Sequence, residues 1–104
     1  MRFLRGPYLV NPTLNTTANG RLTLDFYELA EAEWLVLTQR LITHHGFEQE
    51  GLIAIGLSEQ IHQGFQCAEF SLASGWDIWS GYYLMSKSPA GDVFLRSLYQ
   101  ELRG

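Results

Sequence analysis

The sequence has little positive charge. Its 104 residues include seven basic and eleven acidic side chains, and the only lysine is Lys87. Between Leu22 and Ser86 there are nine carboxylates and a single cation, Arg40. Nucleic acids and anionic membrane surfaces both bind cationic protein surfaces. The charge distribution therefore argues against both as direct partners, and it leaves room for a basic protein.

The chain also lacks a long apolar run. No stretch approaches the roughly 18 apolar residues of a membrane span, and no signal-peptide core follows the charges of residues 1–7. One cysteine, Cys67, excludes an internal disulfide. We therefore expect a cytoplasmic protein. Apolar residues make up 46% and aromatic residues 13% of the chain, which indicates one folded domain over residues 1–104.

Motifs of enzymes and of cofactor sites are missing as well. The sequence contains no Gly-x-Ser-x-Gly elbow, no Walker loop and no Gly-x-Gly-x-x-Gly. His44, His45 and His62 lack the spacing that presents two ligands to one metal ion. Cys67 lies among carboxylates, which disfavour a reactive thiolate and leave a small buried side chain as its expected role. We therefore predict no catalytic residue, no cofactor and no metal site, and we expect that the protein is not an enzyme.

Turn and cap signals divide the first half of the chain. Asn19-Gly20 predicts a tight turn in a hairpin whose second strand alternates from Leu22 to Phe26. Asp25, with Glu28 three residues later, fits a capping box at the start of a helix. Gly46 is a typical stop for that helix. The residues that share its apolar stripe are Tyr27, Ala30, Trp34, Leu35, Leu37, Leu41 and Ile42.

Short strands and a second helix are expected in the other half. The continuous apolar run from Leu52 to Leu57 predicts a strand, followed by a polar connection over 58–64. Further strands are predicted over 65–73 and 76–86, the latter kinked or bulged at Gly81. Ser88-Pro89 marks the start of a helix whose apolar stripe is Leu95, Leu98, Tyr99 and Leu102. This order predicts an α+β fold, in which an antiparallel β-sheet packs against two α-helices in a two-layer single domain.

Two features remain as candidate binding surfaces. The first is a set of acids on or just after the first predicted helix, comprising Asp25, Glu28, Glu31, Glu33, Glu48 and Glu50. A solvated helix face would explain them equally well, although such faces usually carry both signs of charge. The second is the aromatic stretch from Gly75 to Tyr83, of which we expect about half the rings to lie in the sheet core.

The C-terminal third of the chain resembles a known family. The stretch from Gly75 to Met85, followed by Ser88-Pro89-Ala90-Gly91-Asp92 and a short final helix, is similar to the C-terminal part of small bacterial immunity proteins. These proteins are encoded beside polymorphic toxins, including those of contact-dependent growth inhibition systems. The resemblance implies a cytoplasmic protein without enzymatic activity that binds and blocks one cognate toxin domain, often a nuclease.

The leading hypothesis is therefore an inhibitor of a basic toxin domain. The expected partner-binding residues are Glu28, Glu31, Glu33, Glu48, Glu50, Trp76, Asp77 and Trp79. The alternative is a small-ligand-binding or enzymatic α+β domain. Its pocket would be lined by Trp76, Trp79, Tyr82 and Tyr83. A homo-oligomer formed through the aromatic strand is a third possibility, and the oligomeric state stays open.

Overall fold

The computed structural model describes residues 12–103, so the N-terminal residues 1–7 that bear on a signal peptide lie outside the described range. The strands are β1 (Thr13–Thr16), β2 (Leu22–Phe26), β3 (Glu48–Glu50), β4 (Ala54–Ile55), β5 (Glu59–Gln66), β6 (Ser71–Asp77) and β7 (Gly81–Ser86). The helices are α1 (Glu31–Thr43) and α2 (Pro89–Arg103). An antiparallel sheet with two helices confirms the predicted α+β class.

The seven strands form one sheet in the order β1-β2-β7-β6-β5-β3, and every pairing is antiparallel. The outer edge of β5 is shared, because β3 pairs with its C-terminal part and β4 with its N-terminal part. Gln49 lies opposite Phe65, and Ile55 lies opposite Gln60. Two short strands therefore form this edge of the sheet.

Both helices pack on one face of the sheet. Leu24 of β2 lies opposite Leu84 of β7, and both side chains are fully buried. The helices contribute Trp34, Leu37 and Leu41 from α1 and Leu95, Leu98 and Leu102 from α2. Arg40 of α1 pairs with Glu101 of α2 at 2.6 Å, which joins the two helices over this core.

Local turn and cap signals produce the expected structure. Gly20 adopts a φ of 87°, as the predicted hairpin turn requires. Gly46, three residues after the last residue of α1, has a φ of 77° and directs the chain away from the helix. Ser88 precedes α2, and its Oγ accepts a hydrogen bond from the Gly91 N–H at 3.2 Å. Pro89 is the first residue of α2, as predicted.

The predicted start of the first helix at Asp25 is wrong. Asp25 belongs to β2 and lies opposite Tyr83. It is buried and accepts hydrogen bonds from Asn15 and Thr23. The helix begins at Glu31, and the Ala30 N–H donates to the Glu33 carboxylate at 3.1 Å. Pairing with β7 holds residues 22–26 extended, so the helix starts after the turn that follows them.

Three predicted segments of the second half are also corrected. The polar stretch over 58–64 is not a connection, since it forms most of β5. The predicted strands over 65–73 and 76–86 each contain a turn, closed in the first by a hydrogen bond from the Cys67 N–H to the Phe70 carbonyl at 2.9 Å. Cys67 is therefore half-buried in a turn and not inside a strand. Gly81, expected at a kink, begins β7 with a φ of 72°.

The run from Leu52 to Leu57 departs furthest from expectation. Only Ala54–Ile55 pairs as a strand, and every residue of the run is exposed. Leu52 exposes 89% of its surface and Leu57 is fully exposed. The run follows the shared outer edge of β5, where its side chains remain in solvent.

Asp25 makes a pH dependence testable. Burial raises the pKa of Asp25 above its ordinary 3.8, although hydrogen bonds from Asn15 and Thr23 oppose the rise. The folded protein then holds this proton more tightly than the unfolded chain, so stability is lost as pH rises from 3.8 through the raised pKa. We expect the free energy of unfolding of the native protein to fall over that range relative to Asp25→Asn. Urea denaturation of both proteins across the range measures this, and parallel pH profiles would contradict it.

Candidate functional site

Several chain segments that are distant in sequence meet at one end of the sheet. Glu59, at the start of β5, lies opposite Asp77, at the end of β6. The turn after Asp77 is held there because the Ile78 N–H donates to the Ser58 carbonyl at 3.1 Å. The loop before β5 and the turn between β6 and β7 therefore form one continuous surface.

Gly81 brings the turn after β2 to the same end. A Cβ on Gly81 would lie 2.5 Å from the Phe26 carbonyl oxygen and 2.9 Å from that of Tyr27. Its φ of 72° is also a conformation that side chains with a Cβ rarely adopt. Glycine thus allows β7 to start directly against the Tyr27-Glu28 turn.

We call this surface the end face. It consists of Tyr27, Glu28, Leu57, Glu59, Asp77, Ile78 and Trp79. Trp79 exposes 73% of its surface, and Tyr27, Leu57 and Ile78 are also exposed. The segments that form the end face, residues 26–31, 57–60 and 76–82, contain three glutamates and one aspartate but no lysine or arginine. Exposed apolar groups are thus surrounded by charge of a single sign.

Asp77 orders the turn that carries Trp79. Its Oδ1 accepts hydrogen bonds from the Trp79 N–H at 2.9 Å and from the Ser80 N–H at 2.6 Å. A carboxylate that holds consecutive backbone donors fixes the backbone of a short turn. The exposed indole of Trp79 is therefore presented from a defined turn.

A cleft opens beside the end face, between α1 and the sheet. Its volume is about 220 Å³. It is lined by Glu31, Trp34, Leu35, Thr38, Gln49, Ile53, Gln60, His62, Gln63, Phe65, Ser74 and Tyr82. Trp34 of α1 stacks on Tyr82 of β7 with ring centroids 4.8 Å apart, and both rings line the cleft. The cleft thus combines aromatic and amide groups with one carboxylate.

The polar groups in the cleft are electrostatically coupled. His62 Nε2 donates to Gln60 Oε1 at 3.0 Å. Burial lowers the pKa of His62, and the charge of Glu31 opposes that change. Burial and the same Glu31 charge both raise the pKa of Tyr82. His62 is therefore neutral at neutral pH, and Glu31 supplies the negative charge of the cleft.

The apolar run on the sheet edge connects the cleft with the end face. Ile53 lines the mouth of the cleft opposite Leu35 of α1, and both are exposed. Ile55 pairs with Gln60, another lining residue, and the run continues to Leu57 on the end face. End face, edge and cleft therefore form one surface.

The structure distributes the eight predicted partner-binding residues over several places. Glu28, Asp77 and Trp79 lie on the end face, and Glu31 lines the adjacent cleft. Glu33 is half-buried and engaged with the Ala30 N–H. The structure therefore brings four of the predicted residues together, namely Glu28, Glu31, Asp77 and Trp79.

The remaining three lie elsewhere. Trp76 is half-buried and faces the helices opposite Tyr82. Glu50 lies opposite Gly64 in the middle of β5, and Glu48 lies opposite Gln66 at its far end. Glu48 is separated from Glu59 by most of β5, about 20 Å at 3.3 Å per residue. The acids adjacent in sequence therefore do not form one cluster.

Sequence reasoning missed Glu59 and the exposed side chains of the Leu52–Leu57 run. It also placed Tyr27 and Leu35 on the apolar stripe of the first helix, whereas Tyr27 precedes α1 and both side chains are exposed. One signal for the run was available, since Gly51 and Gly56 flank an apolar stretch shorter than a typical buried strand. The predicted pocket of Trp76, Trp79, Tyr82 and Tyr83 does not form around one cavity. Only Tyr82 lines the cleft, because Trp79 lies in an exposed turn and Tyr83 faces the other side of the sheet.

Within residues 12–103, no three or more histidine, cysteine or acidic side chains lie close enough together to hold a metal ion. In the same part of the chain neither helix is long and apolar enough to cross a membrane. Comparison with protein-family models, with curated proteins and with solved structures gives no match to this chain. The functional argument therefore rests on the surface itself.

The steric role of Gly81 is directly testable. Gly81→Ala combines a left-handed φ with a clash against two backbone carbonyls, so we expect the free energy of unfolding to fall by about 2–4 kcal/mol. The matched control is Gly51→Ala, which has a φ of 92° but nothing within 4 Å, and should cost only about 1 kcal/mol. Chemical denaturation measures both values. Equal losses would show that contact with the Tyr27 turn is unimportant.

Proposed function

We propose that the protein is an immunity-type inhibitor that acts in the cytoplasm by binding and neutralising a basic toxin domain. The observation that carries this proposal is the end face, where exposed aromatic and aliphatic side chains are surrounded by carboxylates. The resemblance proposed from the sequence of residues 75–92 would imply the same function. A nuclease domain fits best as the target, because it has a cationic surface for phosphates.

Electrostatics favours rapid capture of such a target. The basic residues in the described part of the chain lie outside the end face. Two of them form ion pairs there, Arg21 with Asp92 at 3.3 Å and Arg40 with Glu101. Charge is thus segregated, with unbalanced acids at the end face. A surface of one sign raises the rate of diffusional encounter with a partner of the opposite sign. An inhibitor that protects its own cell benefits from this fast association.

The apolar groups of the end face would contribute most of the binding energy of the interface. Tryptophan and tyrosine contribute disproportionately to binding energy when a partner covers them. Trp79 and Tyr27 are exposed together with Ile78 and Leu57, next to the exposed run on the sheet edge. An exposed apolar area with a polar rim is typical of a protein-binding surface.

The two alternatives fit the surface less well. Small-molecule sites usually enclose about 300–1,000 Å³. The cleft is smaller, at about 220 Å³. Two other concavities, of about 400 and 510 Å³, are large enough, but of the four predicted pocket rings the first contains none and the second only Tyr83. Trp79 is the exposed ring of the aromatic stretch, so self-association through that stretch would bring the like charges of the end face together, which costs energy. Sedimentation of the purified protein distinguishes a homo-oligomer, which would appear as a dimer, from the monomer that we expect.

The proposal predicts that a neighbouring reading frame encodes a toxin domain, and that domain is the partner for the test. Co-expression should restore growth of cells that produce this domain, and the two purified proteins should form a stable complex. In that complex, Glu28→Lys with Glu59→Lys should slow association at least tenfold at low salt, because both changes reverse exposed charges on the end face.

The matched control is Glu69→Lys, an exposed acid in the turn at the opposite end of β5. It should leave the association rate within twofold of that of the native protein. Stopped-flow kinetics at several salt concentrations measures these rates. No growth protection and no complex would refute the proposed function. Equal association rates for all three proteins would refute the assignment of the end face.

A separate variant tests the anchor. Trp79→Ala should accelerate dissociation of the complex at least tenfold, about 1.4 kcal/mol, because a partner would cover this ring. Since Trp79 is exposed, the free energy of unfolding should change by less than about 0.5 kcal/mol. Val93→Ala, at an exposed position on α2, is the control and should leave dissociation unchanged. Surface plasmon resonance measures both off-rates, and similar values would exclude Trp79 as an anchor.

A further inference from the structure

We infer that the cleft between α1 and the sheet receives one basic side chain of the protein partner, with Glu31 as its counter-charge. This inference rests on the proposed function for the identity of the partner. The cleft residues that carry the inference are Glu31, Leu35, Thr38, Ile53, Gln63 and Tyr82. An alkylguanidinium or alkylammonium group is the chemistry that fits them.

The shape of the cleft suits a single long side chain. At about 220 Å³ it is small for a separate ligand, and the stacked rings of Trp34 and Tyr82 form part of its lining. Leu35 and Ile53 form an apolar mouth. Arginine and lysine side chains have an aliphatic stem that packs on apolar surface and a charged head that needs polar partners. The cleft offers these two environments next to each other.

Unused hydrogen-bond acceptors are available for the head group. The Thr38 hydroxyl donates to the Leu35 carbonyl at 3.0 Å, so its lone pairs can still accept. Gln63 Nε2 donates to the Gly51 carbonyl at 3.0 Å, and the Oε1 of the same amide remains able to accept. A guanidinium group has five N–H donors and no acceptor. The lining therefore matches a donor-rich ligand.

The charge of the cleft selects for a cation. Glu31 is the only acidic or basic side chain among the lining residues apart from His62, and it forms no ion pair with any residue from 12 to 103. Its field is felt inside the cleft, since it acts on the pKa values of both His62 and Tyr82. His62 is neutral at neutral pH and does not repel a cation. A phosphate or carboxylate would instead meet the Glu31 charge.

The position of the cleft links it to the rest of the interface. Its mouth lies beside Ile55 of β4, and the apolar run leads from there to Leu57 on the end face. A basic partner that covers the end face would extend over this mouth. One of its lysine or arginine side chains could then enter the cleft and contact the Glu31 carboxylate.

The experiment uses N-acetyl-arginine amide as the probe and N-acetyl-citrulline amide as its uncharged analogue. Both are titrated into isotopically labelled full-length protein, and NMR shifts are followed at the Trp34 indole and the backbone amides of His62 and Tyr82. We expect weak, saturable binding of the arginine probe at these positions. The citrulline probe should bind at least tenfold more weakly, because it lacks the charge that Glu31 attracts.

Variants locate the binding group. Glu31→Gln should weaken binding of the arginine probe at least fivefold, whereas Glu69→Gln, an acid far from the cleft, should leave it unchanged. Leu35→Lys provides a second test, because a lysine at the exposed mouth would compete with the probe and weaken its binding at least fivefold. Amide spectra of each variant report whether the fold is intact.

Three results would overturn the inference: equal affinity for the two probes, shifts confined to residues outside the cleft, or no effect of Glu31→Gln. The outcome is separable from that of the proposed function, since the titration needs no toxin. Specific binding of the arginine probe by a protein that fails to neutralise the toxin would reject only the proposed function. Neutralisation without probe binding would reject only the role of the cleft.

Discussion

The pairing of β2 with β7 is the contact on which both the core and the end face depend. It places Leu24 opposite Leu84 and Phe26 opposite Tyr82, so the first hairpin joins the middle of the sheet. Tyr82 then stacks on Trp34, which fixes α1 over the same face. The register also delivers the turn after β2 to the start of β7. A shift of one residue would turn the buried leucines outward and separate that turn from the Trp79 loop.

The sequence was sufficient for features whose cause is local. Asn19-Gly20 determines a turn through its own backbone preferences, and Ser88-Pro89 starts α2 through a cap and a fixed φ. The fold class followed from the order of such signals. The acids Glu28 and Glu31 and the exposed Trp79 could also be singled out, because unbalanced charge and clustered rings are visible in the sequence.

Features that depend on tertiary contacts could not be predicted in this way. The sequence of β5 predicts a connection because Gln60 and His62 occupy positions that are apolar in a covered strand, and here they face the cleft instead. Apolar alternation over 65–73 continued through the turn at Cys67. The six acids looked like one cluster because they are close in sequence, whereas β3 carries Glu48 to the far end of β5. The other exposed glutamate of the end face, Glu59, belongs to a different segment from Glu28.

The exposed run from Leu52 to Leu57 has a consequence for the protein on its own. Apolar side chains on an unpaired sheet edge are a template for edge-to-edge aggregation. Here the flanking acids are Glu48, Glu50 and Glu59, Gly51 precedes the run, and Gly56 interrupts it. Charges next to an apolar segment act as gatekeepers against self-pairing. We therefore expect the carboxylates at this edge to oppose aggregation of the free protein.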